Sequence, residues 1–237
     1  VLDCSWGTAG PMVTMLLADH GATVTRIEHP DGDPFEGQTG YRVWHRGKRR
    51  ARVDLRTAEG LAAFLALAAD ADVVVETYGR GVAAQLGIDH DALAARNPRL
   101  ITLSISAYGD HPDHADRPGY DALVAARTGL LYDQKGRSGT ALDYIAGRPG
   151  PLPDFGPPDG MQRGTARPGP VFPRTPWPSV GATYLAALGL TAALRAREVT
   201  GRGQHVRTSL LQGGLAAVAL NWQRVEYPEA PVYWMWP

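Results

Sequence analysis

The first 106 residues alternate between short runs of β-branched or aliphatic side chains and longer runs rich in alanine and leucine. The short runs have the length and apolar character of strands in a parallel sheet: 1–5, 23–28, 72–76 and 100–106. The longer runs predict helices, of which Gly21 ends the first and Thr57 caps another: 11–20, 57–69, 81–86 and 90–96. This alternation predicts a doubly wound α/β fold around a parallel sheet.

The carboxyl-terminal half continues the pattern. We expect helices over 120–131, 181–197 and 214–225, and a strand over 204–211. The second of these helices carries a stripe of small residues at helical spacing, which lets another backbone approach and places this face deep in the core: Ala182, Ala186, Gly189 and Ala193. Gly201 is expected to end that helix, because glycine adopts the left-handed cap without strain.

Residues 146–178 break the pattern, since they hold ten of the nineteen prolines together with six glycines. Such a stretch cannot sustain a helix, and its prolines lack the donor that a central strand needs. We expect a long surface excursion that acts as a lid or wraps across a partner.

The composition bounds the function. The 24 basic residues balance the 24 acidic residues, so nothing in the net charge favours nucleic acid or a membrane as partner. No apolar run predicts a span across a bilayer. The single cysteine, Cys4, excludes an internal disulfide framework and predicts a cytoplasmic location.

Eight short segments occur in a fixed order along the chain: 1–11, 16–24, 26–28, 46–49, 54–60, 97–101, 117–121 and 200–204. The last two have the sequences RPGYD and TGRGQ. Together they resemble the family III CoA-transferases, a group that includes formyl-CoA transferase, carnitine-CoA transferases and α-methylacyl-CoA racemase. The resemblance covers almost the whole chain.

The resemblance implies a Rossmann-like large domain, subunits interlocked into a homodimer, and no metal. It implies transfer of CoA between carboxylic acids, with an acyl-CoA and a carboxylic acid acceptor as substrates. Family members are longer, so we expect 1–237 to be the amino-terminal large-domain portion of a subunit, or one half of a fused protein with a second CoA-transferase-like domain. A racemase or lyase relative is a further alternative.

The resemblance also places coenzyme A along the loops that follow the first strands. The residues expected to contact it are Gly7, Ala9, Arg26, His29, Arg46, Lys48, Arg49, Thr77, Tyr78, Arg80 and Gln85. Charged donors suit the phosphates of CoA, and the run 42–50 is the densest positive charge in the chain. That run can also be a solvated face or a nucleic-acid contact, and the loop 6–11 can be an ordinary turn between strand and helix.

Four residues are candidates for catalysis: Thr8, Tyr120, Asp121 and Ser179. In the formyl-CoA transferase branch a glutamine that helps to hold the oxyanion lies at Thr8, and in the racemase branch a histidine base lies at Tyr120. Asp121 is expected near the start of a helix, where the dipole favours an acid and where it can act as a cap.

Ser179 stands at the position of the aspartate that attacks the thioester in these transferases. That aspartate forms a mixed anhydride and then an enzyme-bound CoA thioester. A serine would form a less activated ester and needs a general base, so its simplest role is to cap the following helix. The nearest upstream acid in sequence is Asp159. Three possibilities stay open: a transferase with altered chemistry, a degenerate half whose partner supplies the nucleophile, and a non-enzymatic acyl-CoA sensor.

Overall fold

The computed structural model describes residues 1–114, 117–133 and 174–218. Six strands form one sheet in the order β3-β2-β1-β4-β5-β6, and each neighbouring pair is parallel. The strands are β1 (Leu2–Cys4), β2 (Thr25–Glu28), β3 (Arg49–Arg52), β4 (Val73–Glu76), β5 (Ile101–Ser106) and β6 (His205–Ser209). This is the strand order of a doubly wound, Rossmann-like fold, so the predicted fold class is confirmed.

Nine helices are described in these residues. They are α1 (Ala9–Asp19), α2 (Tyr41–Trp44), α3 (Ala58–Ala69), α4 (Val82–Gln85), α5 (His90–Ala94), α6 (Asp121–Arg127), α7 (Leu130–Asp133), α8 (Trp177–Thr200) and α9 (Leu210–Ala217). A short 3₁₀ turn, Pro112–His114, follows β5.

Apolar cores cover both faces of the sheet, as a parallel sheet requires. On one face α1 and α8 pack against β4 and β5, with Val13, Val75 and Leu103 fully buried. On the other face α3 and α5 cover β1 and β4, where Phe64 and Val74 lie at the centre. Within the described residues, these helices pack against the two faces of the sheet and sandwich it.

The small-residue stripe on α8 is confirmed as a core contact. Ala182 and Ala186 are fully buried in the first core. A β-carbon at Gly189 would lie 2.7 Å from a methyl group of Val206 on β6, which shows how closely helix and strand approach. Although α8 is long and apolar enough to cross a membrane by length and composition, this stripe packs inside the domain.

Several predicted boundaries are corrected. The chain turns at Gly129 in the left-handed region, so 120–131 forms two helices instead of one. The strand predicted to reach residue 211 ends at Ser209, whose side chain caps α9 by accepting from the N–H of Gln212. The arginine-rich strand β3 was missed, because arginine is not a strand-forming signal.

The long excursion ends earlier than predicted, since α8 begins at Trp177 with a proline in its first turn. A proline is tolerated there because the first N–H groups of a helix have no partner inside it. Most of the predicted excursion and residues 219–225 of the last predicted helix lie outside the described residues. The cap at Thr57 and the left-handed cap at Gly201 are both confirmed.

Candidate active site

The strand order reverses between β1 and β4, and doubly wound sheets bind ligands in the crevice outside the carboxyl ends of the strands at this point. Thr77 ties the two loops together. Its Oγ1 accepts a hydrogen bond from the N–H of Trp6 at 2.7 Å and donates one to the carbonyl of Trp6 at 3.1 Å. Gly7, the residue after Trp6, has a φ of 77°, a backbone conformation that favours glycine. The hydroxyl of Thr77 thus holds the two loops together through the backbone of Trp6.

The first turn of α1 faces this crevice. Thr8 precedes the helix, and its side chain makes no capping bond. The first N–H groups of a helix lack partners inside it, and they suit a phosphate or a thioester oxygen. Ala9 is buried, so this predicted residue can offer its backbone but not its side chain.

Ser179 and Asp121 form the most specific contact in this region. The Oγ–H of Ser179 donates to Oδ2 of Asp121 at 2.7 Å, and the N–H of Ser179 donates to Oδ1 at 2.8 Å. Asp121 lies in the first turn of α6, and Ser179 lies in the first turn of α8. One carboxylate therefore accepts two hydrogen bonds from the residue at the family's nucleophile position.

The predicted capping role of Ser179 is wrong. The helix starts two residues before it, and Pro176 occupies the cap position without a side-chain bond. Asp121 does not cap its own helix either, since Tyr120 holds that position. Instead, Asp121 satisfies a free N–H at the start of α8, where the helix dipole also favours a negative charge.

The Ser179–Asp121 pair lies beside the start of α1. Thr183, one helical turn after Ser179, donates its hydroxyl to the carbonyl of Ser179 at 2.8 Å and to that of Ala9 at 3.2 Å. The side chain of Tyr120, the neighbour of Asp121, is 67% exposed. The structure therefore brings Thr8, Asp121 and Ser179 to one region of the carboxyl end of the sheet.

Two predicted CoA contacts, Arg26 and Lys48, are buried cations instead. Each side chain is only 1% exposed, and both pair with the fully buried Asp3. Lys48 Nζ lies 2.9 Å from Asp3 Oδ2 and donates to the carbonyl of Pro11 at 2.8 Å. Arg26 also pairs with Asp33. Cations engaged in this way do not reach a phosphate in solvent, which corrects the expected direct contact.

This buried cluster holds the loop that follows β1. Asp3 accepts hydrogen bonds from the N–H and Oγ of Ser5, and Arg26 donates to the carbonyl of Ser5. Burial opposes ionisation of Asp3, but the charges of Lys48 and Arg26 and the hydrogen bonds outweigh it and lower its pKa to about 2. Sequence reasoning missed Asp3, although an acid inside an otherwise apolar strand is a signal for a buried partner.

The remaining basic residues of 42–50 differ in availability. Arg46 pairs with Asp19 at the surface, and Arg50 pairs with Glu28. Arg49 is exposed on the edge strand β3 and makes no side-chain hydrogen bond or ion pair within the described residues. His29 lies beside Asp54 and Arg56. Arg49 begins β3 in register with Thr25, so it lies at the amino end of the sheet, opposite the crevice, which corrects the expected contact with CoA there.

The loop after β4 carries the other predicted contacts. Tyr78 packs against the second core, and its N–H donates to Glu76. Arg80 is exposed and lines a groove beside β5 and β6, together with the stacked rings of His90 and His205. Gln85 is exposed at the end of α4. Arg80 is thus a predicted cation that is open to solvent in the loop after β4.

The described residues contain no group of histidine, cysteine and acidic side chains that could hold a metal ion. The chemistry that this region offers consists of backbone N–H groups, one hydrogen-bonded carboxylate and the exposed Arg80. Such groups suit an anionic ligand with phosphates and a reaction that passes through a carboxylate.

The sequence of this chain is similar to those of curated CoA-transferases. The chain is 34% identical to a succinyl-CoA:mesaconate CoA-transferase of Haloarcula hispanica over 89% of the chain and 50% of that protein. It is 32% identical to the CoA-transferase/lyase DddD of a Marinomonas strain over 93% of the chain and 23% of that protein. The chain therefore spans about a quarter to a half of the curated relatives it matches.

The fold has a counterpart among solved structures. A CAIB/BAIF family protein from Brucella suis superimposes with a TM-score of 0.74 at 26% identity, covering 97% of this chain and 56% of that one. The model of the CoA-transferase family III matches residues 1–231. The ordered motifs, the strand order and these matches together show that the chain belongs to the family III CoA-transferases.

Proposed function

We propose that the intact protein binds acyl-CoA at the carboxyl end of this sheet and transfers CoA between carboxylic acids. The observation that carries the proposal is the reversal of the strand order between β1 and β4, where Thr77 joins the two loops and α1 begins. Ligands of doubly wound sheets bind at this point of the fold.

The coenzyme would lie along exposed groups and not along the buried cations. The N–H groups at the start of α1 suit the thioester oxygen, whereas Arg80 is free to meet a phosphate. The Asp3 cluster would act beneath the ligand by fixing the shape of the loop at Ser5. The acyl group and the acceptor acid are proposed only by chemical class, since acyl specificity depends on the shape of the pocket.

We propose further that the active form is an interlocked homodimer, or a pair with a second CoA-transferase-like domain, in the cytoplasm. The support is that the chain spans half or less of its relatives, one of which is named as the alpha subunit of a succinyl-CoA–L-malate CoA-transferase. Size measurement of the full-length protein by light scattering tests this assembly.

Calorimetry with the full-length protein tests coenzyme binding. CoA should bind, and dephospho-CoA should bind roughly tenfold more weakly or worse, because it lacks one charge-assisted contact. Arg80→Ala should weaken CoA binding. Arg202→Ala is the matched control, since Arg202 is an exposed arginine in the loop that enters β6 at the opposite end of the sheet. Equal, negligible heats for both ligands would remove the basis of the proposal.

A second candidate is a catalytically degenerate half that binds CoA while its partner supplies the nucleophile. The observation in its favour is the serine at position 179. An assay with succinyl-CoA and a panel of free carboxylic acids separates the two candidates. Tight CoA binding without transfer by the full-length protein supports the degenerate half.

A further inference from the structure

The position that should carry the nucleophilic acid holds a serine, yet a carboxylate lies in hydrogen-bonding contact with it. Among the described residues, the acid bonded to Ser179 is Asp121, through both the N–H and the Oγ–H. We propose that Asp121 is the nucleophile of this protein and replaces, from a different helix, the aspartate that residue 179 no longer provides. This inference rests on the proposed CoA transfer.

Accessibility favours Asp121 over Ser179. The serine is 2% exposed, with its hydroxyl turned toward the carboxylate. Asp121 is only partly buried, and its neighbour Tyr120 is 67% exposed. Asp121 is thus the more exposed residue of the pair. A carboxylate has about four acceptor sites, so two hydrogen bonds leave lone pairs free for attack.

The two hydrogen bonds also orient the group. They fix both oxygens of Asp121 at the amino end of α8, a helix of 24 residues. Orientation of a nucleophile before the substrate arrives lowers the entropic part of the barrier. These bonds moderate the nucleophilicity of the carboxylate, and the orientation offsets this cost. The hydroxyl of Ser179 remains a donor throughout and is not consumed.

The reaction balances without any other reagent. An oxygen of Asp121 attacks the thioester carbonyl, the C–O bond forms, the C–S bond breaks, and CoA leaves as the thiolate with the electron pair. The thiolate then attacks the Asp121 carboxyl carbon of the anhydride and expels the first acid as its carboxylate. The acceptor carboxylate attacks this aspartyl thioester, and the released thiolate attacks the new acyl carbonyl. Acyl-CoA leaves, and the carboxylate of Asp121 is restored.

Attack by Ser179 would demand more of the structure. Its proton would have to pass to Asp121, and its buried oxygen would have to reach the substrate. The product would be an oxygen ester, which returns its acyl group to a thiolate less readily than an anhydride does. The hydrogen bond between the two side chains is therefore better explained if Ser179 orients Asp121 than if Asp121 activates Ser179.

The test is to locate the covalent intermediate in the full-length protein. The protein is incubated with succinyl-CoA, treated with borohydride or hydroxylamine, and mapped by peptide mass spectrometry. Borohydride should convert Asp121 to homoserine, and hydroxylamine should leave a hydroxamate at the same residue. Asp121→Asn should lose the adduct while it keeps CoA binding by calorimetry. Ser179→Ala should keep the adduct, with a rate reduced by roughly tenfold, as expected for one lost hydrogen bond.

The outcomes separate this inference from the proposed function. An adduct on Ser179, on any other residue, or in Asp121→Asn overturns the assignment. Normal CoA binding without any adduct also overturns it and supports the degenerate half, whereas absence of CoA binding removes the proposed function itself. If Asp121→Asn fails to fold, the peptide map of the unaltered protein still decides the matter.

Discussion

The carboxylate of Asp121 and the hydroxyl of Ser179 lie 2.7 Å apart, although 58 positions separate the two residues in the sequence. The pair joins the first turn of α6 to the first turn of α8. Thr183 on α8 also bonds to Ala9 at the start of α1, beside the point at which the strand order reverses. Because Asp121 bonds to Ser179, the start of α6 lies in the same region. A contact between two helix starts thus defines the centre of the candidate site.

Removal of the Ser179 hydroxyl should cost a modest amount of stability. In Ser179→Ala, Asp121 keeps the N–H donor but loses the Oγ–H donor, so the free energy of unfolding should fall by about 1–3 kcal/mol. Urea denaturation measures this loss. Thr191→Ala is the control, because the exposed Thr191 on the same helix bonds only to its own helix backbone, and its change should stay within about 0.5 kcal/mol. Equal losses in both variants would contradict the special role of the pair.

Ser179→Asp should make stability depend on pH. It places a second carboxylate against Asp121, and two carboxylates at this distance cannot both ionise without a large penalty. One pKa of the folded pair should rise above its unfolded value of roughly 3.9. The added cost is therefore small below that value and grows as pH rises through the raised pKa.

Thermal unfolding of Ser179→Asp between pH 4 and pH 8, compared with the neutral variant Ser179→Asn, measures this effect. A parallel pH dependence in the two variants would show that the added carboxylate does not feel Asp121.

Thr77→Val should weaken CoA binding more than it weakens the fold. Valine keeps the shape of threonine but leaves the N–H of Trp6 without its partner across the crevice. The lost bond should reduce CoA affinity by roughly tenfold, about 1.4 kcal/mol, in calorimetry with the full-length protein. Thr77→Ser keeps the hydroxyl and should restore the affinity. Unchanged CoA affinity in Thr77→Val would argue against a coenzyme site in this crevice.

Lys48→Met should be strongly destabilising. It removes one of the two cations that pair with the fully buried Asp3 and leaves that charge undercompensated. Breaking a buried pair in this way costs about 3–5 kcal/mol. Arg195→Gln, which breaks the exposed pair with Glu198, is the control and should cost less than about 1 kcal/mol. If the two variants unfold at the same urea concentration, the ion pairs of Asp3 do not stabilise the fold more than a surface pair does.

His45 should make the protein less stable in mild acid. Burial, followed by the charge of Lys48, lowers its pKa from the ordinary value of 6.5 to about 4. The unfolded chain takes up this proton below 6.5, while the folded chain resists it until about 4, so the free energy of unfolding falls as pH drops through this window. The melting temperature of His45→Phe should fall less between pH 7 and pH 4.5 than that of the unaltered protein.

The control for His45 is His111→Gln, which changes an exposed histidine next to the 3₁₀ turn. A steeper or unchanged acid dependence in His45→Phe would contradict the role assigned to the buried ring.

Local patterns in the sequence were sufficient for most of the framework. The periods of apolar residues predicted five of the six strands and the order of the principal helices, since strand and helix bury their side chains at different spacings. The cap at Thr57 and the glycine end of α8 depend on backbone conformations that only a few residue types adopt, so they too were readable in advance. The arginine-rich strand β3 was not, because its pairing with β2 overrides the preference of its residues.

For the candidate site too, some features were predictable from the sequence and others were not. The sequence by itself determined which loops would gather at the carboxyl end of the sheet, because parallel strands finish on one side. It could not show that Arg26 and Lys48 turn inward to Asp3, nor that Asp121 meets Ser179. A charge in a sequence has no partner until folding supplies one, and burial then decides whether it binds a ligand or holds the structure together. Only the tertiary structure places an acid beside the serine.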